Sequence, residues 1–219
     1  MRFSILLTLC ISSLLFGCKP EKTEKTTELN LELSKQIDKM ANLDKQMQLN
    51  VLQFARFGDE ELEKVENLRA QVYEKHANSI KEILDTYGYP GNKLVGKQSA
   101  DRFFTLMQHT QDFSEIMKLG IEKMEIDLEG NQIEKYQYIS LKDQYAVLTD
   151  IPQPFGTIVR FDEQGKSYAL NPAVDIESNR SEMGMDSLNR YLDRKTMEYF
   201  NLNRAELSNK GIEKPILNK

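Results

Sequence analysis

The chain has 219 residues, with 29 Lys and Arg against 34 Asp and Glu, a formal charge of −5, two cysteines and two histidines. That length suits one sizeable core, and mild acidity without a basic cluster argues against a nucleic-acid partner. Cys10 and Cys18 both fall within the first eighteen residues, so no disulfide can staple the rest, and a structural zinc site lacks its usual four Cys or His ligands.

The first segment in chain order is a leader. Arg2 precedes an unbroken run of apolar and small residues from Phe3 to Phe16, closing on Leu15-Phe16-Gly17-Cys18. A run of about 14 residues falls short of the roughly 20 that span a bilayer and fits an export signal. Its end resembles a bacterial lipobox: Gly17 offers a small side chain at the cut, and the Cys18 thiol can take a diacylglyceryl group. Phe16 departs from the small or β-branched residue usual at that position. The expectation is that residues 1–17 are removed, leaving 202 residues with a charge of −6 once Arg2 is lost. Cys18 then carries the lipid, and two or three acyl chains such as palmitate anchor firmly because each buried methylene contributes about 0.8 kcal/mol. Lys19, where an aspartate would signal inner-membrane retention in enterobacteria, favours the outer membrane, facing the periplasm or the surface.

Residues 18–28 include KPEKTEKTTE, which is polar, nearly charge-balanced and without an apolar anchor, so they read as a flexible tether. From Leu29 the residues Leu33, Ile37, Met40, Met47, Val51 and Phe54 recur at three-and-four spacing, which predicts a helix to about Phe57, with Gly58 as its stop and Asp59 as the next cap. A second helix is predicted over Glu60 to Thr86, ending at Tyr87-Gly88-Tyr89-Pro90-Gly91. Ser99 is expected to cap a helix through about Thr110, and another should cover Asp112 to Asp127 before a break at Gly130-Asn131. Ile133 to Leu148 is amphipathic. Phe155 to Phe161 and Lys166 to Leu170 are aromatic and β-branched around Asp162-Glu163-Gln164-Gly165, a hairpin signal. Helices return over Asp175 to Met183 and Asp186 to Phe200, and a polar tail occupies 201–219. Residues 29–200 thus form a single α+β domain, mainly α, with one β-hairpin.

In a helix-rich chain the informative residues are polar side chains on core-facing stripes, because burial without a partner costs about 1 to 3 kcal/mol. Asp44 lies in the stripe of Ile37, Met40, Met47 and Val51; His109 lies between Leu106 and Phe113; Asp143 lies between Ile139 and Val147. A carboxylate on one ring nitrogen of His109 would leave the other free for acid-base work. The simpler reading is an interior histidine satisfied for packing and two capped or solvated aspartates.

Tyr87-Gly88-Tyr89-Pro90, Leu94-Val95-Gly96, Gln108-His109 with Asp112, Leu141-Lys142-Asp143, Gln153-Pro154-Phe155-Gly156-Thr157 and Arg180 with Gly184-Met185 and Tyr191 stand in an order that carries a resemblance. It is to an uncharacterised bacterial family with the motifs YGWP, LVG, QH, a D-R pair, QxYGT and RRxxxGL, and it spans about Asp44 to Leu192. The resemblance implies that Gln108, His109, Asp143, Gln153, Thr157 and Arg180 matter together, and implies no activity. Gln144 stands where the family tends to have arginine, Phe155 replaces its tyrosine, and Asn179 or Ser181 replaces one of two arginines. Plain structural roles are open to each motif: Gly88 and Pro90 can end a helix, and Gly156 can let the chain pass close to one.

Two functions follow. One is a lipid-anchored binding or interaction module, attached to the membrane through Cys18, that holds an unknown protein or a small polar ligand, with Gln108, Gln153, Thr157 and Asp44 as candidate contacts. The other is an acid-base hydrolase-like enzyme with His109 as general base, Asp143 orienting it and Arg180 stabilising developing negative charge. Ser140 and Thr157 are the candidate nucleophiles there. No G-x-S-x-G, H-E-x-x-H or P-loop occurs, and no cofactor or metal is expected.

Overall fold

The computed structural model describes residues 28–56, 58–128 and 133–218. The predicted leader, Cys18, nearly all of the tether, Phe57 and the break at Gly130-Asn131 lie outside them. The described residues form nine helices and one antiparallel β-hairpin, a mainly helical α+β fold.

The apolar stripe of the first segment becomes α1 (Leu31–Phe54), where Asn30 accepts from the Leu33 amide at 3.0 Å to close the N-terminus. Helix α2 (Asp59–Tyr87) follows, and its end at Gly88 precedes Pro90, which cannot continue a helix. After the single turn α3 (Asn92–Val95) comes α4 (Lys97–Gln108), which is capped by Gly96 and begins three residues earlier than predicted. Ser99 is therefore inside the first turn, and its hydroxyl donates to Asp38 across the α1 contact at 2.9 Å instead of capping. Helices α5 (Ser114–Asp127) and α6 (Lys135–Leu148) complete the body. α1 lies against α2 and α4, and α5 lies against α2 and α6. One core joins them, from Leu33 and Ile37 through Ile80, Leu84, Phe103 and Met107 to Met117, Met124 and Leu141.

Met47 is the last buried residue of α1 and Val72 is the first of α2, so the distal parts of this helix pair carry no fully buried residue. The end of α4 meets the pair at the base of that stretch.

The hairpin, β1 (Val159–Phe161) and β2 (Ser167–Ala169), is shorter than predicted, with Val159 opposite Ala169 and Phe161 opposite Ser167. Asp162 fixes its turn by accepting from the Gln164 and Lys166 amides, both at 2.9 Å. Then come α7 (Ile176–Glu182) and α8 (Leu188–Leu202). Asp175 stands at the expected N-cap position of α7 without a side-chain cap hydrogen bond, whereas Ser187 rather than Asp186 caps α8. Phe161 stacks on Tyr199 of α8 at 4.1 Å between ring centroids, which docks the hairpin. Past Asn201 the predicted polar tail contains a further helix, α9 (Arg204–Asn209), anchored by the buried Leu207.

Candidate functional site

The residues singled out from the sequence separate into two groups. Asp143, Gln153, Thr157 and Arg180 come together around the loop that leads into the hairpin. His109 and Asp44 meet elsewhere, at the end of α4.

The loop group is a buried clasp. Asp143 of α6 has no exposed surface. One of its carboxylate oxygens accepts from the Phe155 amide at 2.9 Å, and the other accepts from the amide and hydroxyl of Thr157 at 2.6 and 2.7 Å. Gln153 is equally enclosed: its amide nitrogen donates to the carbonyls of Ile158 and Leu170, and its oxygen accepts from the Ile158 amide. Arg180 of α7 is 1% exposed. It donates to the carbonyl of Phe155 and, through Nε at 2.7 Å, to that of Asp186, and its guanidinium lies 5.1 Å from the Tyr191 ring centre. Tyr191 in turn donates to the Thr157 carbonyl at 3.0 Å. Burial pushes the Asp143 carboxyl above its ordinary range, opposed by the Thr157 and Phe155 hydrogen bonds and by the Arg180 charge. Burial likewise holds the Arg180 guanidinium below its usual value. Such groups are tolerated inside because their partners are supplied by backbone. Asp143 therefore does not orient His109, and Arg180 does not face a cleft: both are engaged in holding residues 153–158.

Gln108 enters neither group through its side chain. Its carbonyl accepts from Gln144 at 2.8 Å, which ties the end of α4 to α6. Ser140 sits within α6, and the Thr157 hydroxyl is taken by Asp143.

The second group is open. His109 ends α4, and its Nδ1 lies 2.8 Å from a carboxylate oxygen of Asp44 on α1. A carboxylate only accepts, so Nδ1 carries a proton, and in the neutral ring Nε2 then keeps its lone pair. The Asp44 side chain is 5% exposed and that of His109 is 28% exposed. The orienting partner is thus sheltered while the imidazole reaches solvent. Tyr73 of α2 stacks on the imidazole, with centroids 5.9 Å apart and planes 12° apart. Its hydroxyl accepts from Gln48 at 2.5 Å, and burial with the Asp44 charge pushes its pKa up to about 12. Arg69 pairs with Glu66, and its guanidinium lies over Tyr73 at 5.9 Å. Gln48, Glu66, Arg69, Tyr73, His109 and Asp112 are among the walls of a cleft of about 400 Å³.

Gln48, Arg69, Tyr73 and His76 were not singled out from the sequence, although the signals existed. Gln48 follows Asp44 by four residues on one helix face, and Arg69 and Tyr73 are likewise four apart. His76 stands on the inward stripe of Val72, Ala77 and Ile80, the same anomaly that marks Asp44. It is buried, its Nδ1 has no hydrogen-bond partner, and burial lowers its pKa, with the Asp44 charge opposing and His109 reinforcing. A histidine that resists protonation when folded gives up stability as the pH falls, because the unfolded chain takes up the proton near pH 6.5 and the folded one does not. The urea midpoint is therefore expected to drop between pH 7.5 and pH 5, and His76→Leu to flatten that drop. An unchanged slope in the variant would assign the acid sensitivity to other groups.

Among the described residues no cluster of three or more His, Cys, Asp or Glu side chains is placed to hold a metal ion. No helix among them is long and apolar enough to cross a membrane. Fold and sites together define a mainly helical α+β domain with one braced loop and one open polar cleft. The chain belongs to the family of unknown function DUF6624, which matches residues 32–202, in keeping with the resemblance to an uncharacterised family. Comparison with curated proteins and with solved structures gives no match.

Proposed function

We propose that the protein is a lipid-anchored envelope protein whose helical domain binds a small polar ligand in the cleft beside His109. The observation that carries the binding reading is the Asp44-held imidazole at the wall of that cleft. Such a ring presents one defined lone pair, and Arg69, with five N–H donors and one ion pair, has further donors for a polar group. The anchoring part rests on the leader and Cys18. Metabolic labelling with palmitate checks it: label is expected in the wild type and absent from Cys18→Ser, and an unlabelled wild type would remove the anchor.

A thermal-shift screen of polar metabolites tests the cleft, since a ligand that binds only the folded state raises the melting temperature. At least one compound is expected to stabilise the wild type and to lose its effect in both His109→Ala and Arg69→Ala. Hits that all persist in both variants would contradict the reading.

One feature supports acid-base catalysis as a second reading. The buried carboxylate on Nδ1 is the arrangement by which a general base is held in one tautomer, with Asp44 in the role the sequence suggested for Asp143. Under this reading the wild type converts at least one hit to product and His109→Gln does not; hits that are bound and recovered chemically unchanged would contradict it.

A further inference from the structure

A second concavity, of about 420 Å³, lies between α5, α6 and the outer side of the clasped loop, and shares no residue with the His109 cleft. Its volume is in the range of small-molecule sites, on the order of 300 to 1,000 Å³. Ile121 and Tyr145 contribute from the two helices, and Pro152, Pro154 and Ala173 from the loops.

The loop wall is fixed from behind. Gln153, between the two prolines, turns its whole side chain inward, the Pro154 carbonyl accepts from Asn179 at 3.2 Å, and Phe155 is held by both Asp143 and Arg180. The buried clasp thus makes a pre-formed apolar surface, which is what lowers the ordering cost of binding. Beside it Ile151 and Val174 remain exposed, at 46% and 106%, so apolar surface continues past the rim.

Charge selects the occupant. Around the groove Lys142 is paired with Glu125 at 2.5 Å and Lys118 with Glu122 at 3.9 Å. Asp175 is exposed, makes no cap hydrogen bond and has no ion pair among the described residues. One negative charge is therefore left over on an otherwise neutralised, apolar groove. We infer that this groove binds a small amphipathic organic cation, its apolar body against Ile121, Tyr145 and the two prolines and its ammonium group at Asp175.

Phenethylammonium and its anionic counterpart 3-phenylpropionate are the probes, each titrated into the protein and followed by backbone amide chemical shifts. The cation is expected to give saturable shifts confined to residues 118–125, 142–146, 151–154 and 173–179, and the anion none. Asp175→Asn, a surface change, is expected to weaken the cation about five-fold, the scale of one exposed ionic contact. Ala173→Leu fills the groove and should abolish the shifts. Equal binding of the anion, shifts at the His109 cleft instead, no saturable shift with the cation, or undiminished affinity in Asp175→Asn would each overturn the assignment. The His109 reading survives any of these results, because it rests on other residues.

Discussion

Arg180→Ala is expected to destabilise the domain by about 3 to 5 kcal/mol, as removal of one member of a buried charged network does. The buried carbonyl of Phe155 and the more accessible one of Asp186 lose their donors together, and an unsatisfied buried group costs about 1 to 3 kcal/mol. The Tyr191 ring loses one of the three cations over it, Arg194 and Lys195 remaining, and the space left by the largest fully buried side chain is not refilled. For a domain of this size the melting temperature should fall by roughly 6 to 20 °C. Arg180→Lys should recover little of it, because one ammonium cannot reproduce a planar fork that reaches two carbonyls and stacks on a ring. Because Asp143 holds the same loop from the opposite side, Asp143→Ala and Arg180→Ala should not be additive. Urea unfolding of the two single variants and the double variant checks this. A loss below about 1 kcal/mol for Arg180→Ala, the scale of an exposed ion pair, would show that the network is not structural.

Gly156→Ala is the second change with a large expected effect. Gly156 has φ +68°, and a Cβ there would stand 2.8 Å from Cδ1 of Ile176 and 2.9 Å from Cδ1 of Leu188. The left-handed backbone alone costs about 1 to 2 kcal/mol for a residue with a side chain. Crowding adds to it, since Ile176 is buried at the start of α7 and can turn its methyl aside only against its neighbours; overpacking of that kind costs about 1 to 3 kcal/mol. Gly184 provides the control, with φ +72° and nothing within 4 Å of its added Cβ. Gly184→Ala should show the backbone cost alone. Denaturant midpoints of the two variants separate the terms, and equal losses would mean that the close approach at Gly156 contributes nothing.

The helices of this protein were legible because their apolar residues keep the 3.6-residue period. The hairpin was legible from Asp162 to Gly165 between β-branched runs. What escaped was set by partners far along the chain or by single anchors. Asp44 and His109 each stood out as polar residues on apolar stripes, yet 65 positions separate them, and nothing local says which carboxylate a histidine will find. Asp143 was the nearer choice in sequence, but the amides of Phe155 and Thr157 use both of its oxygens. The motif residues do act together, as the resemblance implied for Asp143, Gln153, Thr157 and Arg180, while His109 and Gln108 stand apart from them. Helix α9 was missed because one buried residue, Leu207, gives no periodic signal. The capping position shifted by three residues at α4 and by one at α8, since Ser99 found Asp38 and Ser187 lay beside Asp186.

The proposed division between a clasp that braces and a cleft that acts is tested most directly at the His109 ring. Long-range ¹H–¹⁵N spectra of the imidazole at neutral pH should show a protonated, hydrogen-bonded Nδ1 and a bare Nε2 in the wild type, and loss of that single tautomer in Asp44→Ala. A proton on Nε2 in the wild type, or a spectrum unchanged by Asp44→Ala, would contradict the account.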